Sequence, residues 1–216
     1  MTDYVAGGVP EPLVPHTTQA RNGREAALAA GRRRGPSVAM WGMAMLVAAE
    51  ATLFGTLVGT YYYLRFQSVH WPPLGTPEPR VVVPLIMVAL LVTTSLPMQL
   101  AANAARRGAL WRTRLLLVWA LVIQCIYLGW AIHDYLQQLQ LSRPQDNAYS
   151  SIYYTLLGAD HVHVAVGILL VVWLLWKLVR GLTMYRLNAV QVVAFYWHAV
   201  NILTLIVLGV LLSARV

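Results

Sequence analysis

Five long apolar runs, separated by proline-bearing turns and clusters of arginine, set the pattern of this chain. The first, from about Val38 to Leu64, carries a single charged residue, Glu50, and exceeds the ~20 residues needed to cross a hydrocarbon core. Tyr61, Tyr62, Tyr63 and Arg65 then form an interfacial belt, and HWPPLGTPEP stops the helix. The second run, from about 81 to 105, has Pro97 inside it, which predicts a kink there. Runs over about 115–135, 151–179 and 189–213 follow, each long enough or nearly so to span. The pattern predicts an all-α fold: an integral membrane bundle of five transmembrane helices over residues 37–216, behind a disordered or extended basic tail over 1–36.

Composition sharpens this reading. The 216 residues are 58% hydrophobic and 11% charged, which excludes an ordinary soluble domain. A formal charge of +8 in a soluble protein would point to nucleic acid, but here the basic residues lie in the tail and in short turns, where membrane topology accounts for them. Twelve of the 16 Lys and Arg residues fall on the side of the N-terminus and four on the other. That asymmetry predicts a cytoplasmic N-terminus and an external C-terminus. The tail has no apolar core of signal-peptide length, and Asp3, Glu11 and Glu25 make it unlike a transit peptide, so it is expected to be a retained cytoplasmic segment. The lone cysteine, Cys125, offers neither a disulfide framework nor a CxxC metal site.

Two carboxylates fall at membrane depth, Glu50 and Asp160. A carboxylate at the bilayer centre costs roughly 2.5 to 3.5 kcal/mol even on the lenient insertion scale, so each must face protein or trapped water. Asp160 and His163 are three residues apart and share a helical face, while His161 points away from it, toward the expected edge of the bundle. At 1.5 Å per residue, Glu50 lies roughly 18 Å below one surface, and Asp160 and His163 roughly 14 to 18 Å below the other. These levels overlap, so Glu50 can approach Asp160 or His163. His198 is shallower, and Asn201, one turn on, comes closer to the level of Glu50.

The cluster admits a structural reading, in which polar side chains tie helices together, and a proton-handling reading centred on Glu50. A metal site would use the Asp160-x-x-His163 step found in di-iron bundles, but a second such step and further carboxylates are missing. Gly55 and Gly59 form a GxxxG step that permits close approach of a helix or lipid. Met40, Met43 and Met45 read as packing rather than as a copper site.

Taken in order, the stretches WGMAMLVAAEATLFGTLVGTYYYLR, PLIMVALLVTTSLPMQLAANAARRG, QCIYLGWAIHDY, YSSIYYTLLGADHVHVAVG and FYWHAVNILTLIVL resemble subunit III of the haem-copper cytochrome c and quinol oxidases. The resemblance covers essentially everything after the tail and is to the short, five-helix form. It places Glu50 on the family's buried glutamate, His163 on the second histidine of its G-x-H-G-x-H-V motif, and Trp197 and His198 on its YWH step. Departures fall at Asp160, where the motif has its first histidine, at His161, and at Asn201 and Thr204 in the last helix. What the resemblance implies is an accessory subunit of a bacterial terminal oxidase in the cytoplasmic membrane, partnered with subunits I and II. Haem and copper would lie in those partners and none in this chain. It would stabilise subunit I, hold phospholipid and sustain proton uptake, with Trp41, Phe54, Gly55, Gly59 and Trp197 as lipid or subunit contacts. An accessory protein of a nitric-oxide reductase shares this helix plan, and a free-standing small transporter or proton channel is the reading from another class.

Overall fold

The computed structural model describes residues 37–76, 81–181 and 183–215; the expected tail over 1–36 lies outside them. The described residues form six α-helices and a terminal 3-10 turn, and five helical spans among them are long and apolar enough to cross a membrane. The protein is a multi-pass integral membrane protein. Helix α1 is Val38–Gln67, α2 Val82–Thr93, α3 Ser95–Arg106, α4 Leu110–Leu141, α5 Ala148–Leu178 and α6 Met184–Leu212.

The helices run past the ends of the apolar runs because chain at the membrane surface can keep its hydrogen bonds within the helix as well as with water. Thus α4 extends 32 residues, through the polar exit Gln137, Gln138 and Gln140. Its successor α5 starts where Asn147 accepts a hydrogen bond from the Ser150 amide at 2.8 Å, and α6 where Thr183 does the same for the Arg186 amide at 3.3 Å. The turn between α3 and α4 closes on Gly108, whose φ of 74° suits a residue without Cβ.

The second span breaks at Thr94, between α2 and α3. Pro97 supplies no amide hydrogen and its ring crowds the carbonyl of Thr93, so the ladder fails one turn before the proline. Hydroxyls fill part of the gap: Thr93 donates to the Leu90 carbonyl at 2.6 Å and Thr94 to the Leu91 carbonyl at 2.5 Å. The Thr94 oxygen also accepts from the indole N–H of Trp197, at 2.6 Å, so the kink becomes a docking point for α6.

Helices α3, α4, α5 and α6 form the packed centre. Small side chains make it possible: Ala101, Ala102, Ala105 and Ala120 are all buried, letting backbones come close where lipid offers no hydrophobic drive. Gly167 on α5 lies against the Trp197 ring with no room for a methyl group. By contrast α1 is peripheral, with Phe54 and Tyr61 its only buried side chains. The loop after it folds back so that Trp71 packs between Tyr61 and Tyr149, with ring centroids 5.3 and 5.0 Å away. Arg65 secures the end of α1 to the end of α6 by donating to the Ser213 carbonyl at 2.6 Å.

The residues expected as lipid or subunit contacts take different places in this packing. Phe54 and Trp197 are 2% and 0% exposed and belong to the interior, because a large ring is what fills the space between these helices. Trp41 is exposed, and Gly55 and Gly59 have open space where a side chain would be, so among the described residues no helix uses that GxxxG step. Gly167→Ala is therefore expected to lose about 1 to 3 kcal/mol as Trp197 is pushed from its place. Gly55→Ala should stay within about 0.5 kcal/mol in the isolated chain. Reversible unfolding of both variants in mixed micelles measures the difference.

Candidate functional site

Helix α5 carries its polar residues along one stretch, and each is met by a different helix. Glu50 and His163 come together across α1 and α5, with Oε2 and Nε2 2.5 Å apart. The other ring nitrogen, Nδ1, lies 2.6 Å from the Ala159 carbonyl. A carbonyl only accepts, so Nδ1 carries a hydrogen and the pair with Glu50 shares the remaining proton. The arrangement is then either a carboxylic acid donating to a neutral imidazole or an imidazolium donating to a carboxylate. Phe54 sets its ring at 68° to the imidazole, centroids 5.1 Å apart, and Tyr196 donates to the His163 carbonyl at 3.1 Å. The pair is not sealed inside this chain: the side chains of His163 and Glu50 are 13% and 24% exposed.

Asp160 turns elsewhere. It is 2% exposed, and Thr204 of α6 donates to its Oδ1 at 2.7 Å. It borders a cavity of about 60 Å³ that Glu50 and His163 do not line. The remaining candidates separate as well. Asn201 donates to Ser95 at 2.6 Å, and His198 lies 3.1 Å from Gln99, both joining α6 to α3. Asn201, expected only to come near the level of Glu50, turns its side chain to α3, which the kink brings alongside α6. His161 stands at the seam of α4 and α5 rather than at the outer edge, with its ring 5.9 Å from that of Tyr135. Sequence reasoning thus reached one intramembrane pair and the position of Asp160, and missed Thr204 and Gln99 as partners. Thr204 stood out only as a departure from the family pattern, and its hydroxyl named no partner, since a helix can always satisfy such a group internally.

A second polar line was not anticipated as a network, although the exit of the third run reads as polar. Tyr153 donates to Gln138 at 2.7 Å, and Gln138 donates to Asp134 at 2.5 Å, at the end of the bundle that carries the turn between α4 and α5. Farther in, Gln124 is fully buried with neither amide atom paired. Among the described residues, no three His, Cys, Asp or Glu side chains are grouped to hold a metal ion.

Comparison with known proteins places this arrangement. Residues 33–212 match the family described as cytochrome c oxidase subunit III. The cytochrome c oxidase subunit 3 of Thermostichus vulcanus is 25% identical over 178 residues, covering 82% of this chain and 87% of that protein. The corresponding protein of Alkalihalophilus pseudofirmus is 29% identical over 171 residues, 74% of this chain and 79% of the relative. A probable quinol oxidase subunit 3 of Staphylococcus haemolyticus is 25% identical over 166 residues, 74% and 81% of the two chains. With five membrane-spanning helices and a match that takes in every one of them, the chain belongs to the cytochrome c oxidase subunit III family, a component of the haem-copper oxidases.

Proposed function

We propose that this chain is an accessory subunit of a bacterial terminal oxidase in the cytoplasmic membrane, seated against catalytic subunit I and associated with subunit II. In this reading it steadies subunit I, holds phospholipid and sustains proton uptake during oxygen reduction. Its N-terminus faces the cytoplasm, as the arginine distribution favours. Haem and copper belong to the partners. The observation that carries the reading is the Glu50–His163 pair. It is a proton-sharing couple in the membrane interior, partly open at the flank of the bundle, where a neighbouring subunit or its water can reach it.

Two surfaces support the rest. The exposed face of α1, with Gly55 and Gly59, accepts a close helix. Between α4 and α5 a largely apolar groove of about 300 Å³, lined by Leu128, Ile132, Gly158, Val162 and Ala165 with Tyr135 and His161 at its side, has the character needed for an acyl chain.

Extraction of the tagged chain in mild detergent is expected to bring haem with it, seen as a reduced-minus-oxidised absorption difference; a native particle without haem would sink the assignment. If Glu50 supports proton uptake, Glu50→Gln should assemble normally, yet lose activity several-fold sooner during sustained turnover. The effect should grow as pH rises and protons become scarce. Oxygen consumption followed over many turnovers at two pH values checks this, with equal decay in both enzymes counting against it. As a structural tie the same pair should also register in a double-mutant cycle. Glu50→Ala and His163→Ala are expected to couple by about 0.6 to 1.7 kcal/mol in unfolding from bicelles.

A further inference from the structure

The cavity beside Asp160 is the most unusual feature outside the Glu50–His163 pair. It lies between α2, α4, α5 and α6, and its polar wall is made by Tyr127, Asp134, Gln138, Asp160, His161 and Thr204. A void of about 60 Å³ with several hydrogen-bonding groups has room for a few waters and the partners to hold them. An apolar cavity of this size would stay dry; this one contains a carboxyl group that is 2% exposed in the middle of a membrane span. Asp160 uses Oδ1 to accept from Thr204, and its carboxyl group borders the cavity.

The lining also has a direction. Asp160 lies about twelve residues into α5, roughly 18 Å from its start, whereas Tyr153 is only five residues in. Tyr127 and His161 lie at or just beyond the level of Asp160; toward the α4–α5 turn the wall passes Trp130, Ala131 and Leu157 and reaches the hydrogen-bonded line Asp134–Gln138–Tyr153, close to where α4 ends at Leu141. The polar groups that face Asp160 or its cavity are therefore Tyr127, Asp134 and Gln138 from α4, Tyr153, His161 and His163 from its own helix, and Thr204 from α6. From α2 the lining is apolar, Pro84 and Val88.

We propose that this cavity is a hydrated proton-exchange pocket. In it Asp160 holds an exchangeable proton that arrives through water from the end of the bundle carrying the α4–α5 turn. The inference goes beyond the proposed function and does not depend on Glu50, which lies outside the cavity. The step is a reversible acid dissociation. The carboxyl O–H bond breaks, its electron pair stays on the carboxylate, and the proton passes to a cavity water; the return reverses each change. Thr204 keeps its O–H directed at Oδ1 in both states, so the side chain need not move. A carboxyl placed only to tie α5 to α6 would need neither the void nor the polar wall beyond it.

Infrared difference spectroscopy of the native complex at neutral pH, on transfer from H2O to D2O, tests this. The wild type is expected to show a carboxylic C=O stretch that shifts on deuteration, and that band should be missing in Asp160→Asn. Thr204→Val should change its frequency while keeping it, which assigns the band even if Asp160→Asn fails to assemble. Ala131→Leu, which projects into the cavity, should slow the deuterium shift by about tenfold, since exchange would then await local opening. The proposal is overturned by the absence of a protonated carboxyl assignable to Asp160, by a band that does not exchange, or by exchange as fast in Ala131→Leu as in the wild type.

Discussion

Within lipid, helices gain little by hiding apolar side chains from one another, so a bundle must be specified by close backbone contact and by hydrogen bonds between helices. Here that task falls on one turn of α5. Asp160 reaches Thr204 on α6, and His163 reaches Glu50 on α1. A carboxyl left unpaired at this depth is costly, and the same cost makes each pair selective for the packing that satisfies it. Helix α6 repeats the device toward the other side, with Trp197, His198 and Asn201 meeting Thr94, Gln99 and Ser95.

The kink in the second span links local chemistry to this network. A straight helix would have its Thr94 hydroxyl satisfied on its own backbone and nothing more. Pro97 breaks the ladder, the hydroxyl at Thr94 serves both Leu91 and the indole of Trp197, and α6 is fixed against the bend. Gly167 completes the fit from behind, since the face of that indole lies where any side chain on residue 167 would be. A proline, a threonine and a glycine on two helices thus define the seat of one tryptophan.

Much of this was legible in the sequence. The five spans followed from the length of apolar runs alone, and the approach of Glu50 to either Asp160 or His163 from depth, because a rise of 1.5 Å per residue fixes the level of every side chain. Azimuth was harder. Asn201 shares a level with Glu50 but faces α3, and Phe54 and Trp197 look like lipid-facing aromatics until the helices are assembled. Rotation about a helix axis depends on all its neighbours at once, and in a membrane the apolar residues do not mark the inner face as they do in water. Hydroxyl partners such as Thr204 and glutamines such as Gln99 were invisible for the same reason.

The weak seating of α1 gives the molecule an uneven mechanical character. Its attachments include the Glu50–His163 pair, the contacts of Tyr62 and Arg65 with Ser213, two inserted aromatic rings and a row of half-buried apolar side chains, whereas the other helices share a continuous packed interior. Under solubilisation or lateral pressure the first helix is the one that would hinge outward, carrying the acidic half of the couple away from its imidazole. A neighbouring protein pressing on that flank would therefore control whether the two halves of the couple stay in contact, so that assembly state and proton sharing become a single variable.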